Sequence, residues 1–127
     1  MNYEELMNEA IEASKNSYSP YSHFAVGACV LTSDGKKYKG CNFENASFGL
    51  SICAERNAIG SAIADGAREI RAISIYSPNM QDCLPCGACR QVIAEFSGEN
   101  EVQIITKADE GIKIRTLDEL LPGCFRL

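Results

Sequence analysis

Cys86-Gly87-Ala88-Cys89 sets two thiols two residues apart, at the start of a segment with helical spacing. Positions i and i+3 are neighbours on a helix surface, so both sulfurs can face one point. Cys53 stands at a second expected helix start. Free N–H groups and the helix dipole favour thiolates at such ends. Three thiolates at two helix N-termini form a nest for one zinc ion per chain. The number is informative: a structural zinc usually takes four protein ligands, whereas a catalytic zinc keeps a position open for water. Glu55 follows Cys53 by two residues. A carboxylate there can take a proton from that water and deliver it to a substrate.

Zinc with three thiolates carries net negative charge, which weakens it as an electrophile. Arg56 directly follows Glu55, and Arg90 directly follows Cys89. Either guanidinium could donate to a ligand sulfur and restore electrophilicity. Cys83 is the rival to this reading, because Cys83-Leu84-Pro85-Cys86 is a second C-x-x-C. Four cysteines would close the site, make it structural and leave Glu55 idle. Cys29 and Cys41 read as small buried apolar residues, and Cys124 has no assigned role. His23, the only histidine, reads as a loop residue.

The composition bounds these options. The chain has 127 residues, 46% hydrophobic and 23% charged, which suits one globular domain over residues 1–127. Seven cysteines are an odd number, so they cannot all pair within one chain. No basic start precedes an apolar stretch and a small-residue cleavage site, so the sequence reads as cytoplasmic. The run from Tyr18 to Ser33 is interrupted by Pro20, Ser22 and His23 and falls short of the ~20 apolar residues of a membrane span. The net charge is −5 and the basic residues are scattered, which disfavours nucleic acid as a partner.

The elements that must position these residues are legible in the spacing. Asn2 to Ser17 predicts a helix, with Tyr3, Leu6, Met7, Ala10, Ile11 and Ala13 on one side. Phe24 to Thr32 predicts a strand, Asp34-Gly35 a type I′ turn, and Lys37 to Asn42 the returning strand. Ile52 to Asp65 predicts a helix, Arg71 to Ser77 a strand, Pro78 to Pro85 a loop and Cys86 to Phe96 a helix. Val102 to Thr106 predicts a strand, with Ile112 to Arg115 a candidate for one more. Thr116 and Glu119 predict a capped short helix ended by Pro122-Gly123. A hairpin followed by αβαβ gives an α/β fold: a mixed sheet of about five strands in a three-layer α/β/α sandwich. Sites in such sheets collect where strands feed helix N-termini.

Cys53-Ala54-Glu55 with Pro85-Cys86-Gly87-Ala88-Cys89-Arg90-Gln91 resembles the small three-cysteine cytidine deaminases. The resemblance covers essentially the whole length. It runs through Pro20-Tyr21-Ser22-His23-Phe24, Val26-Gly27-Ala28, Gly40-Cys41-Asn42-Phe43-Glu44-Asn45-Ala46 and Leu120-Leu121-Pro122-Gly123. It implies zinc-dependent hydrolytic deamination of cytidine and deoxycytidine in pyrimidine salvage. Glu55 would then protonate ring N3, with water adding at C4, and afterwards pass a proton to the departing amino group. Asn42 and Glu44 would hold the ribose hydroxyls, Phe24 would pack on the pyrimidine, and the Ala54 N–H would donate to the base carbonyl. The resemblance further implies a sulfur-facing role for Arg56, a homotetramer, and a contact from Phe125 into a neighbouring subunit's site. Two alternatives stay open from the residues alone: deamination of another aminated base or analogue, and a zinc-stapled binding module without catalysis.

Overall fold

The faces of one five-stranded sheet decide where each helix sits. The computed structural model describes residues 1–127. The chain runs α1 (Tyr3–Ser14), β1 (Gly27–Thr32), β2 (Lys37–Cys41), a 3-10 turn (Phe48–Leu50), α2 (Ala54–Ala64) and β3 (Ile70–Tyr76). It continues with α3 (Gly87–Glu95), β4 (Gln103–Ala108), β5 (Gly111–Thr116) and α4 (Leu117–Leu120). The strand order is β2-β1-β3-β4-β5. Only β3 and β4 pair in parallel, and the other neighbours are antiparallel. The mixed sheet with helices on both faces agrees with the sequence reading, and the candidate last strand is present as β5.

Side chains alternate across the sheet as the period of two requires. Cys29 of β1, Ala72 of β3 and Ile105 of β4 pack on Leu6, Met7 and Ala10 of α1. Ala28 and Val30, Ile73 and Ile75, and Ile104 face the other way, onto Ala54, Ala58, Ala62, Ile93 and Leu117 from α2, α3 and α4. Two glycines permit the closest approaches. A Cβ at Gly27 would sit 2.0 Å from the Ala10 carbonyl oxygen of α1, and one at Gly40 would sit 2.4 Å from the Ala58 nitrogen of α2.

β1 runs antiparallel to both of its neighbours. β2 and β3 therefore point the same way, and α2 and α3, which follow them, begin at the same edge of the sheet. This is how the topology brings Cys53 and Cys86 together.

Three departures from the sequence reading have a local cause. α1 ends at Ser14, and Asn2 is its N-cap, accepting from the Glu5 N–H. β1 begins at Gly27, because Phe24 to Val26 bond outside the ladder: Ala25 N–H donates to Asn79 Oδ1 and Val26 N–H to Asn42 Oδ1. The hairpin is not a type I′ turn. Only Gly35 has positive φ, Gly35 N–H donates to Thr32 O, and Thr32 N–H donates to Lys36 O. That is a three-residue loop with glycine in the left-handed position, a common alternative to the two-residue turn. The capping box at Thr116 and Glu119 forms as predicted.

Candidate active site

Cys53 is the N-cap residue of α2 and Cys86 that of α3, and neither side chain caps its own helix. Their sulfurs are left free to face each other, 4.0 Å apart. Cys89, one turn into α3, completes a group whose ligand atoms all lie within 4.8 Å of one another. Tetrahedral zinc with Zn–S bonds of about 2.3 Å places its sulfurs about 3.8 Å apart, so the spacing fits that ion. The set is three soft donors with no fourth, the pattern of a site with an open position. Cys83 does not join it. Its side chain is 7% exposed and packs in the core with Val30, Ile73 and Ile104. Burial pushes its thiol up to about 11. Cys29 is wholly buried, as its strand position predicts, and Cys41 is half-buried.

The sulfurs share charge unequally. A hydrogen bond from Cys89 and the nearby Arg56 hold the Cys53 thiol down to about 5. The same bond and burial raise Cys89. Arg56 Nη2 donates to Cys53 Sγ at 3.5 Å, and its Nε is buried without a partner. Arg90, the second candidate for tuning sulfur charge, is directed elsewhere. Its Nε donates to Pro85 O at 2.8 Å and its Nη1 to Leu120 O at 2.7 Å. Both donors meet backbone carbonyls that a helix-surface position puts within reach, so Arg90 holds backbone and its bonds do not reach the sulfurs.

Glu55 occupies the first turn of α2 and is 5% exposed. Burial, reinforced by the Cys53 charge, raises its carboxyl above the ordinary carboxylate range. Such a group holds and releases a proton closer to neutrality than a solvated glutamate.

The stretch after β2 is carried to this edge by a relay of backbone bonds. Tyr18 N–H donates to Asn42 O, Glu44 N–H donates to Tyr18 O, and Phe43 and Ile52 exchange two bonds. Asn42 sits at a junction: Oδ1 accepts from Val26 N–H and the Ser17 hydroxyl, and Nδ2 donates to Phe24 O at 2.8 Å. Glu44 accepts from the N–H groups of Tyr21 and Ser22 and from the Ser22 hydroxyl. The Ser22 hydroxyl is the main reason that its carboxyl lies below the usual range. Ser17 and Ser22 were given no role in the sequence reading, since nothing in their spacing marks them. Phe24 is half-buried against the larger core, Ala54 is wholly buried at the start of α2, and His23 is an exposed loop residue with positive φ.

Residues 1–106 match the family model described as the cytidine and deoxycytidylate deaminase zinc-binding region. The chain belongs to the cytidine deaminase family. Cytidine deaminase from Sporosarcina psychrophila is 42% identical over 125 residues, spanning 98% of this chain and 92% of that protein. Cytidine deaminase from Halalkalibacterium halodurans is also 42% identical, over 98% of this chain and 95% of its own. The crystal structure of cytidine deaminase from Burkholderia pseudomallei superposes with a TM-score of 0.90 at 40% identity, covering 98% of this chain and all 100% of that one. That of cytidine deaminase from Mycobacterium tuberculosis gives 0.88 at 35% identity, covering 100% of this chain and 99% of the other. The zinc-binding region of the family model and the three-cysteine group agree on zinc as the cofactor. No helix is long and apolar enough to cross a membrane.

Proposed function

We propose that this cytidine deaminase family member converts cytidine and deoxycytidine to uridine and deoxyuridine by hydrolysis, releasing ammonia, as a cytoplasmic enzyme of pyrimidine salvage. The observation that carries the reading is Glu55, buried with a raised carboxyl two residues from Cys53 of the three-cysteine group. Cys53, Cys86 and Cys89 would hold zinc, and the ion would supply the Lewis acidity that makes water nucleophilic near neutral pH. Arg56 draws negative charge from Cys53 and so keeps the donor set from quenching that acidity.

Glu55 does the proton work. Protonating ring N3 removes electron density from C4 and opens it to attack by water. Carrying a second proton, taken from the hydroxyl that the added water leaves on C4, to the exocyclic nitrogen turns a poor leaving group into ammonia as the C4 carbonyl forms. A carboxyl poised above its usual range can do both steps. Asn42 and Glu44 hold the ribose, Phe24 packs against the base, and the Ala54 N–H, at a helix start without an intrahelical acceptor, meets the base carbonyl. Glu44 is kept anionic by Ser22. Its charge favours an uncharged nucleoside over a 5′-phosphorylated one.

We further propose a homotetramer. Phe48 is 74% exposed and Phe125 is 70% exposed. Phe48 lies tilted against Tyr21, ring centroids 5.8 Å apart, beside Glu44, and the Phe125 carbonyl accepts from Gln91 of α3. Both aromatics thus lie near the elements of the site, and a neighbouring subunit would cover them. Sedimentation of an active tetramer supports this, and a fully active monomer would remove it.

The deciding experiment mixes the zinc-analysed protein with cytidine, deoxycytidine, cytosine and CMP, following ultraviolet absorbance and ammonia. Turnover of the two nucleosides with little of cytosine or CMP is expected. No turnover of any of them would leave a zinc-stapled binding module.

A further inference from the structure

The loop that delivers Cys86 is held by a device that the sequence did not disclose. Asp82, four residues before Cys86, has a φ of 51°, in the left-handed region where a side chain is seldom at ease. Its carboxylate accepts two bonds from Arg115 of β5, Nη1 to Oδ1 and Nη2 to Oδ2, each 2.7 Å. The Thr106 hydroxyl of β4 donates to Oδ1 at 2.5 Å, and the Asp82 N–H donates to Lys107 O at 2.9 Å. Cys83 and Pro85 then bury in the core.

The other end of the same tetrapeptide is tied as well. Arg90 bonds Pro85 O and, with a second nitrogen, Leu120 O at the end of α4. One continuous stretch, Arg115 to Leu120, therefore reaches both ends of Asp82-Cys83-Leu84-Pro85, the segment that sets where Cys86 emerges. A two-pronged guanidinium–carboxylate pair fixes direction as well as distance, which a single hydrogen bond or a lysine does not. The pair is about one-quarter exposed, with side chains at 25% and 26%, so solvent screens it only partly.

We propose that Arg115 and Asp82 are positioning residues for the reaction: they lock the loop that aims the Cys86 sulfur at the metal and touch neither metal nor substrate. This rests on Cys86 as a zinc ligand.

The test uses zinc-loaded full-length protein and follows zinc transfer to a chromogenic chelator, alongside kcat and KM for cytidine and thermal unfolding. Arg115→Ala and Asp82→Asn should each speed zinc release about tenfold and lower kcat, with KM changed less than about twofold. The double variant should release zinc no faster than the worse single one, because the two residues act as one unit. Arg115→Lys should recover only part of the retention. Parental release rates and kcat in variants whose melting temperature has fallen would overturn the proposal and leave a merely stabilising pair. If Arg115→Ala does not fold, Thr106→Val, which removes a single bond to Asp82, decides the matter: a smaller acceleration supports it, and a parental rate sinks it. Cys86→Ser is the separate control. Retained zinc there would reject the ligand assignment itself, whereas lost zinc with parental release in Arg115→Ala rejects only the positioning role.

Discussion

Arg56 reaches the Cys53 sulfur through Nη2 at 3.5 Å while its Nε stays buried and unpaired. A buried donor left unpaired is costly, and the sulfur contact is the hydrogen bond that its guanidinium makes here. Arg56→Ala should therefore lower kcat on cytidine by about tenfold or more, since partners of metal ligands commonly contribute that much. KM should change less, because the charge acts on the chemical step. Steady-state kinetics decide it; unchanged turnover would reduce Arg56 to a bystander on α2.

Glu55→Gln keeps the size of the side chain and removes the proton it carries. Activity should drop by about 10²–10⁴-fold, the usual contribution of general acid–base catalysis. Zinc content and melting temperature should stay near the parent. Turnover at the parental rate would move the proton shuttle elsewhere.

Cys83→Ser separates an open site from a closed one. Zinc should remain at one per chain, because Cys83 packs with core aliphatics and stands outside the three-sulfur group. Stability should fall by about 1–3 kcal/mol from burying a hydroxyl there. Stoichiometric loss of zinc by atomic absorption would instead make Cys83 a ligand.

Gly40→Ala tests how tightly α2 seats on the sheet. The new Cβ would lie 2.4 Å from Ala58 N and 2.7 Å from Ala54 O, both backbone atoms that cannot swing aside. The helix must shift, and it carries Glu55 and begins at Cys53. A loss of about 3 kcal/mol or more is expected in denaturant titration, together with reduced activity.

Cys29 supplies a pH dependence. Burial raises its thiol from the ordinary 9.0 to about 11. The folded chain therefore holds this proton more tightly than the unfolded one. Its contribution is full below pH 9 and falls as pH climbs from about 9 towards about 11, by on the order of 2 kcal/mol. Cys29→Ala should flatten that part of the stability curve. The same slope with and without the thiol would mean that other groups set the alkaline limit.

What the sequence disclosed and what it hid follow a physical line. The pairs Cys53 with Glu55 and Cys86 with Cys89 were legible because short spacing at a helix start becomes proximity and metal chemistry restricts the residue types, whereas the meeting of the two pairs depends on β2 and β3 running the same way. The strands were legible through alternation, as with Cys29 against Val30. Arg90 was misdirected: adjacency to Cys89 suggested a sulfur partner, but which carbonyls lie within reach depends on where α4 ends, a tertiary fact. The bonds of Ser17, Ser22, Asp82 and Arg115 were hidden for the same reason. Their partners lie on other segments, and neither serine, aspartate nor arginine carries a period that announces them.

The shared edge from which α2 and α3 start has a consequence for the order in which the molecule assembles. Cys53 and Cys86 are 33 residues apart, and β1, which lies in the sheet between the strands that lead to their two helices, must pair with β3 across separations such as Cys29 to Ser74, 45 residues. Such distant pairings are entropically slow to form. The complete trio of thiolates exists only after β1 has slotted between β2 and β3. Metal capture is thus expected to be coupled to sheet closure in refolding, and a nascent chain whose second half is still unmade has only Cys53 of the three ligands with which to hold the ion.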